Sequence, residues 1–126
     1  MSLGIYDKAL ASFEKLVETN PEGSFGYYAV AICLLNGKSA FLCKKKEVDK
    51  AIEYLNAAIV IEELGICHYL MAYIKYDYYK RKYLKIEPDY EYHLNAARSV
   101  GVSEEDVYDL FSILRVEVPD DLRLSK

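Results

Sequence analysis

Tryptophan is absent from the 126-residue sequence, and histidine occurs only twice, at His68 and His93. Proline (3) and glycine (6) are sparse, which excludes long disordered or collagen-like tracts. No apolar run reaches the roughly 18 residues that suggest a membrane-spanning helix, and no charged-then-apolar leader pattern stands at the start. Cysteine is limited to Cys33, Cys43 and Cys67, an odd number with no two separated by two residues. That pattern is neither a disulfide framework nor a zinc motif. All three lie among apolar residues, so the expectation is buried thiols in a reducing cytoplasm.

Catalytic constellations are missing as well. His68 and His93 form no His-x3-His or Glu-x2-His pair for a metal. Cys67 and His68 are adjacent, so on a helix they point in different directions and make a poor nucleophile–base pair. Asn36-Gly37-Lys38-Ser39 lacks the glycine spacing of a phosphate loop. Nothing singles out two carboxylates as acid and base. No catalytic, cofactor-binding or metal-binding residue is expected, and the chain is not expected to be an enzyme.

What is present is tyrosine, 13 residues of it, in a chain that is 52% hydrophobic and 29% charged with a net charge of −4. The charge is unevenly placed. Lys38–Lys50 carries five lysines against Glu47 and Asp49. Lys75–Lys85 carries five basic residues against Asp77, and Glu87–Asp121 carries ten acidic residues against Arg98 and Arg115. The bland reading is solvated helix faces; the sharper one is a basic patch that attracts an acidic partner. The acidic final third argues against nucleic acid, which would need the Lys44-Lys45-Lys46 and Lys80-Arg81-Lys82 clusters on one face.

Apolar periodicity predicts six helices and no strands. The first runs over Leu3–Thr19, with Tyr6, Ala9, Leu10, Phe13, Leu16 and Val17 on one face, and Pro21 stops it. Ser24 caps a second helix over Phe25–Leu35. The apolar triplet Ala40, Phe41 and Leu42 in the following connection should tuck onto a neighbouring helix. The third helix spans Lys46–Glu63 and the fourth Ile66–Leu84. Pro88 suits the first turn of a fifth helix ending at Val100. Ser103-Glu104-Glu105-Asp106 opens a sixth, over 103–116, with a Val107, Leu110, Phe111 and Leu114 stripe. Residues 119–126 are expected to fray.

The steps Tyr6, Ala9, Phe13, Leu16, Pro21 recur 42 residues later as Val48, Ala51, Leu55, Ala58, Glu63. They recur 39 residues after that as Glu87, Tyr90, Leu94, Ala97, Val102. Leu55-Asn56-Ala57-Ala58 reappears as Leu94-Asn95-Ala96-Ala97. This internal repeat over Ile5–Val102 resembles the tetratricopeptide repeat. The resemblance implies one all-α domain over 1–126, a right-handed superhelical stack of antiparallel hairpins, with the sixth helix as a C-terminal cap. The Glu63 and Tyr90 substitutions and the extra residues within each hairpin depart from the family pattern. The chain opens on a second-type helix without a preceding partner, which fits either a fragment of a longer protein or a helix that caps the stack itself.

The resemblance further implies a protein–protein interaction module. First-type helices line the concave groove of that family, which places Tyr27, Tyr69, Tyr73 and Tyr76 as peptide contacts with Lys80 and Arg81 at a rim. Members that clamp a carboxylate use Lys, Asn and Arg where this chain has Gly26, Tyr27, Val30, Gly65 and Tyr69, so that mode is disfavoured. Two alternatives stay open. One is a homo-oligomerisation or scaffold domain, for instance a homodimer through the exposed first helix. The other is an enzyme or small-ligand domain, which a deep pocket holding His68 or His93 beside carboxylates would favour.

Overall fold

The structure, a computed structural model, describes residues 3–124, with side chains from Tyr6 onward. Six α-helices follow in order: α1 Leu3–Thr19, α2 Ser24–Leu35, α3 Lys45–Ile61, α4 Gly65–Ile74, α5 Tyr90–Val100 and α6 Glu104–Leu114. A π-helical segment, Lys75–Lys80, continues α4 without a break. Short 3-10 turns form at Ala40–Leu42 and Asp120–Leu122. There is no strand among the described residues, so the chain is all-α. No described helix is long and apolar enough to cross a membrane.

Local chemistry sets most boundaries. Asn36 ends α2 in the left-handed conformation, with its N–H donating to the Cys33 carbonyl. Asp89 caps α5 by accepting from the Tyr92 N–H, and Ser103 caps α6 by accepting from the Asp106 N–H. Helix α5 therefore starts at Tyr90, not at Pro88, which lies before the cap in a cis peptide with Glu87. Ser24 is not a cap: Gly23 occupies that place, and the Ser24 hydroxyl donates to Glu62 Oε1 at the end of α3.

Helices α1 to α5 pack mainly on their sequence neighbours. Of the small residues picked out by the sequence pattern, Ala51, Ala58 and Ala97 are fully buried, and Ala9 is half-buried. The tightest approach is at Gly65, where a Cβ would lie 2.1 Å from the Gly101 carbonyl oxygen. Glycine there lets the start of α4 nest against the end of α5.

Helix α6 breaks the neighbour rule. It lies across α2 and α4 and buries Val107, Leu110, Phe111 and Leu114 on them. Its far end meets α1, where the Tyr6 hydroxyl donates to the Ile113 carbonyl at 3.0 Å. The exposed positions of α1 include Asp7, Lys8, Ser12, Lys15 and Glu18, while Leu10, Phe13, Leu16 and Val17 are half-buried.

The expected frayed tail is also corrected. Val116–Leu124 runs back over α4 and α5, and Leu122 is fully buried. The buried Leu122 side chain is sufficient reason, worth roughly 2 kcal/mol. Residues 125 and 126 of that expectation lie outside the described residues. The apolar triplet is split: Ala40 is buried and Phe41 half-buried, but Leu42 is exposed.

Gly65→Ala forces apart backbone that no rotamer change can relieve. It should destabilise the chain by about 2–3 kcal/mol and lower the melting temperature by several degrees. Ser99→Ala, on an exposed turn of α5, should stay within about 0.5 kcal/mol of the parent. Thermal unfolding followed by circular dichroism checks both; equal melting of Gly65→Ala and the parent would contradict the close approach.

Candidate peptide groove and the polar chain beneath it

Every residue from Cys67 to Lys75 is buried, as are Asp77, Tyr78 and Tyr79. A regular α-helix turns each successive residue by 100°, so one face of a surface helix holds fewer tyrosines than this segment carries. The π-helical stretch resolves the excess. Its bonds run five residues back, Arg81 N–H to the Tyr76 carbonyl and Leu84 N–H to the Tyr79 carbonyl, and the wider turn rotates Tyr78 and Tyr79 inward.

The proposed groove tyrosines separate accordingly. Tyr69 and Tyr73 are core residues and offer no surface to a partner. The physical reason is α6: Phe111 sets its ring edge-on to both, at 6.0 Å from Tyr69 and 5.1 Å from Tyr73. The apolar stripe of α6 had to be covered, and the tyrosine face of α4 covers it. Burial lifts the Tyr69 hydroxyl to about 12 and raises that of Tyr73 further, so both stay protonated donors. Tyr69 donates to the Leu122 carbonyl. Tyr27 is half-buried elsewhere, its ring beside Tyr54 of α3 and its hydroxyl donating to the Pro21 carbonyl. Tyr76 remains half-exposed, edge-on to Tyr90 at 5.1 Å. Lys80 and Arg81 are exposed. Of the six expected contacts, the structure brings Tyr76, Lys80 and Arg81 to one surface.

That surface borders the returning segment 116–124. A cavity of about 500 Å³ is lined by Tyr73, Tyr76, Asp77, Arg81, Asp120 and Asp121, among others. A second, of about 560 Å³, lies beside it between Lys80, Tyr90, Arg98, Asp120 and Asp121. A third, of about 460 Å³, separates the segment from Val107, Tyr108 and Phe111 of α6. The segment thus lies in a trough that it fills only in part, with cavities along its sides. It is tied by Leu122 and by Arg98, whose Nη2 donates to the Arg123 carbonyl at 3.1 Å.

Two polar features had little sequence signal. Asp77 is buried and accepts from Ser39 Oγ at 2.5 Å and from the Phe41 N–H at 2.8 Å, while Arg81 pairs with it at 2.7 Å. The Arg81 guanidinium in turn lies 4.4 Å from the Phe41 ring centre. Asp77 pins the Ala40–Leu42 turn to the π-helix.

The second feature is a chain of four side chains. Lys75 Nζ lies 3.0 Å from His93 Nε2, His93 Nδ1 is 3.3 Å from His68 Nδ1, and His68 Nε2 is 2.9 Å from Glu63 Oε2. One assignment of ring protons satisfies every contact: Lys75 donates to His93, His93 to His68, and His68 to Glu63. Both imidazoles are then neutral. Lys75 also donates to the Pro88 carbonyl at 2.7 Å. Burial, then the Lys75 charge and His68, hold His93 down at about 3, with Asp89 opposing. Neither histidine lines any of the four cavities beside the segment and α5. The three thiols are buried, and burial pushes Cys43 and Cys67 up to about 11; none is an activated nucleophile. No group of described residues has the make-up of a metal site.

No family model, curated protein or solved structure matches the chain.

Because His93 binds its proton only near pH 3 when folded but near pH 6.5 when unfolded, the unfolded state holds more protons between those values. Stability therefore falls as pH drops below 6.5, by of order 1–2 kcal/mol at pH 5 from this residue. The faces packed on it present His68, Lys75 and Asp89. Urea unfolding of the parent and of His93→Gln at pH 7 and pH 5 isolates the term: the parent should lose more on acidification. Equal losses would contradict the neutral chain.

Proposed function

We propose that this chain is a non-catalytic protein–protein interaction module of the cytoplasm that holds an acidic peptide or partner helix in the trough beside Tyr76 and Tyr90. The helical repeat, with its resemblance to tetratricopeptide units, supports the general role. The observation that carries the reading is charged and aromatic groups at one place: Lys80, Arg81 and Arg98 border cavities walled by Tyr76 and Tyr90, with the carboxylates of Asp77, Glu91, Asp120 and Asp121 beside them. Tyrosine and arginine are frequent hot-spot residues, since each supplies contact area and directed donors. The trough is open and shallow, which suits an extended polypeptide more than a small molecule.

Phe41 extends the basic rim. Arg81 and Lys82 both lie over its ring, and Lys45 approaches Tyr79 at 5.9 Å. The Lys44–Lys46 and Lys80–Lys82 clusters therefore flank one region of surface, and their summed field favours an acidic partner.

Tyr76→Ala combined with Lys80→Glu changes only half-exposed and exposed side chains. It should leave melting within about 1 kcal/mol of the parent and reduce capture of partners from a lysate at least roughly tenfold, as expected for loss of one hot spot. Quantitative pull-down with mass spectrometry checks this; unchanged recovery with both proteins folded would remove the reading.

A further inference from the structure

Resting on that reading, we propose that the trough takes an acidic peptide with an Asp-Asp-Leu core, and that Val116–Leu124 of this chain is a built-in occupant which such a peptide displaces. The segment itself defines the chemistry of the ligand. Leu122 enters the core completely, its carbonyl receives the Tyr69 hydroxyl, and the next carbonyl receives Arg98. Asp120 and Asp121, immediately before it, are exposed and share their cavities with Arg81 on one side and with Lys80 and Arg98 on the other. An apolar anchor, two carbonyls met by side-chain donors and two carboxylates that share cavities with three cations are the elements of extended-peptide recognition, although Arg81 is also paired with Asp77 and Asp120 with Arg123 of the segment itself.

The segment is also placed to leave. Between α6 and Leu122 it is flanked by unfilled space on both sides, and Arg115 ends α6 in the left-handed conformation as a natural pivot. Past Val116, whose N–H donates to the Phe111 carbonyl at 3.3 Å, the hydrogen bonds named above that tie the segment to the helices come from the Tyr69 and Arg98 side chains. A covalently attached occupant competes at high effective concentration, so a free peptide sees its affinity reduced by the fraction of molecules in which the trough is open.

The test is a titration of fluorescein-labelled Val-Glu-Val-Pro-Asp-Asp-Leu-Arg-Leu into the full chain, followed by anisotropy. Leu122→Ala is the direct release but removes a core side chain, so Asp120→Lys/Asp121→Lys is used beside it. Both of those positions are exposed, and the change repels the segment from Lys80, Arg81 and Arg98. The double variant should bind the peptide at least about tenfold more tightly than the parent, with affinity falling as salt rises. Peptides carrying Lys-Lys-Leu or Asp-Asp-Ala should bind at least tenfold more weakly. Light scattering should show one chain per complex. Equal affinity of parent and folded double variant, no binding to either, or self-association of the variant in place of peptide binding would each overturn the proposal. Those failures leave partner capture through Tyr76 and Lys80 untouched, so the two readings are separable.

Discussion

A helix buried along most of its length must find a partner for every buried polar side chain it carries, and that requirement organises this molecule. The helix is α4 with its π-helical continuation. It bears Tyr69, Tyr73, Lys75, Asp77 and Tyr79, all buried. An unsatisfied buried polar group costs about 1–3 kcal/mol, and a charged one more. Each surrounding element supplies one answer. The Ala40 turn gives Ser39 and two backbone donors, α3 gives Asp49 to Tyr79, α5 gives His93, the loop before it gives Pro88, and the C-terminal segment gives the Leu122 carbonyl. The apolar contacts hold these pieces together without choosing their register, whereas the polar contacts do choose it.

This logic explains which features were legible in the sequence. The six helices follow from apolar periodicity and caps, because both are local. The burial of Ala51, Ala58 and Ala97 is legible from their places on the apolar faces of their helices, because that periodicity is local. The course of α6 was not readable. Its stripe of Val107, Leu110, Phe111 and Leu114 announces burial but not against what, so the sequence does not say which tyrosines of α4 it covers. The same gap hid Leu122: one leucine among charged residues carries no periodic signal. The π-helical turn likewise has no local signature, though six tyrosines between Tyr69 and Tyr83 already exceeded what one α-helical face accommodates.

The site inherits its character from this closure. With Tyr69 and Tyr73 spent on the core, the recognition we propose falls to the margin where α4, α5 and the returning segment meet. There Tyr76, Tyr90, Lys80, Arg81 and Arg98 border open cavities beside Asp120 and Asp121. The Lys75–His93–His68–Glu63 chain runs between α4, α5 and the end of α3. It ties α5 to α4 and gives the pairing a dependence on pH that apolar contacts alone do not have.

Native-state hydrogen exchange of the full chain tests the central claim most directly. If the polar partners lock α4 in place, the amides of Leu70–Tyr79 exchange only through global unfolding, with a free energy equal to that from denaturant titration. Exchange of those amides through a cheaper local opening, while α3 stays protected, would contradict it.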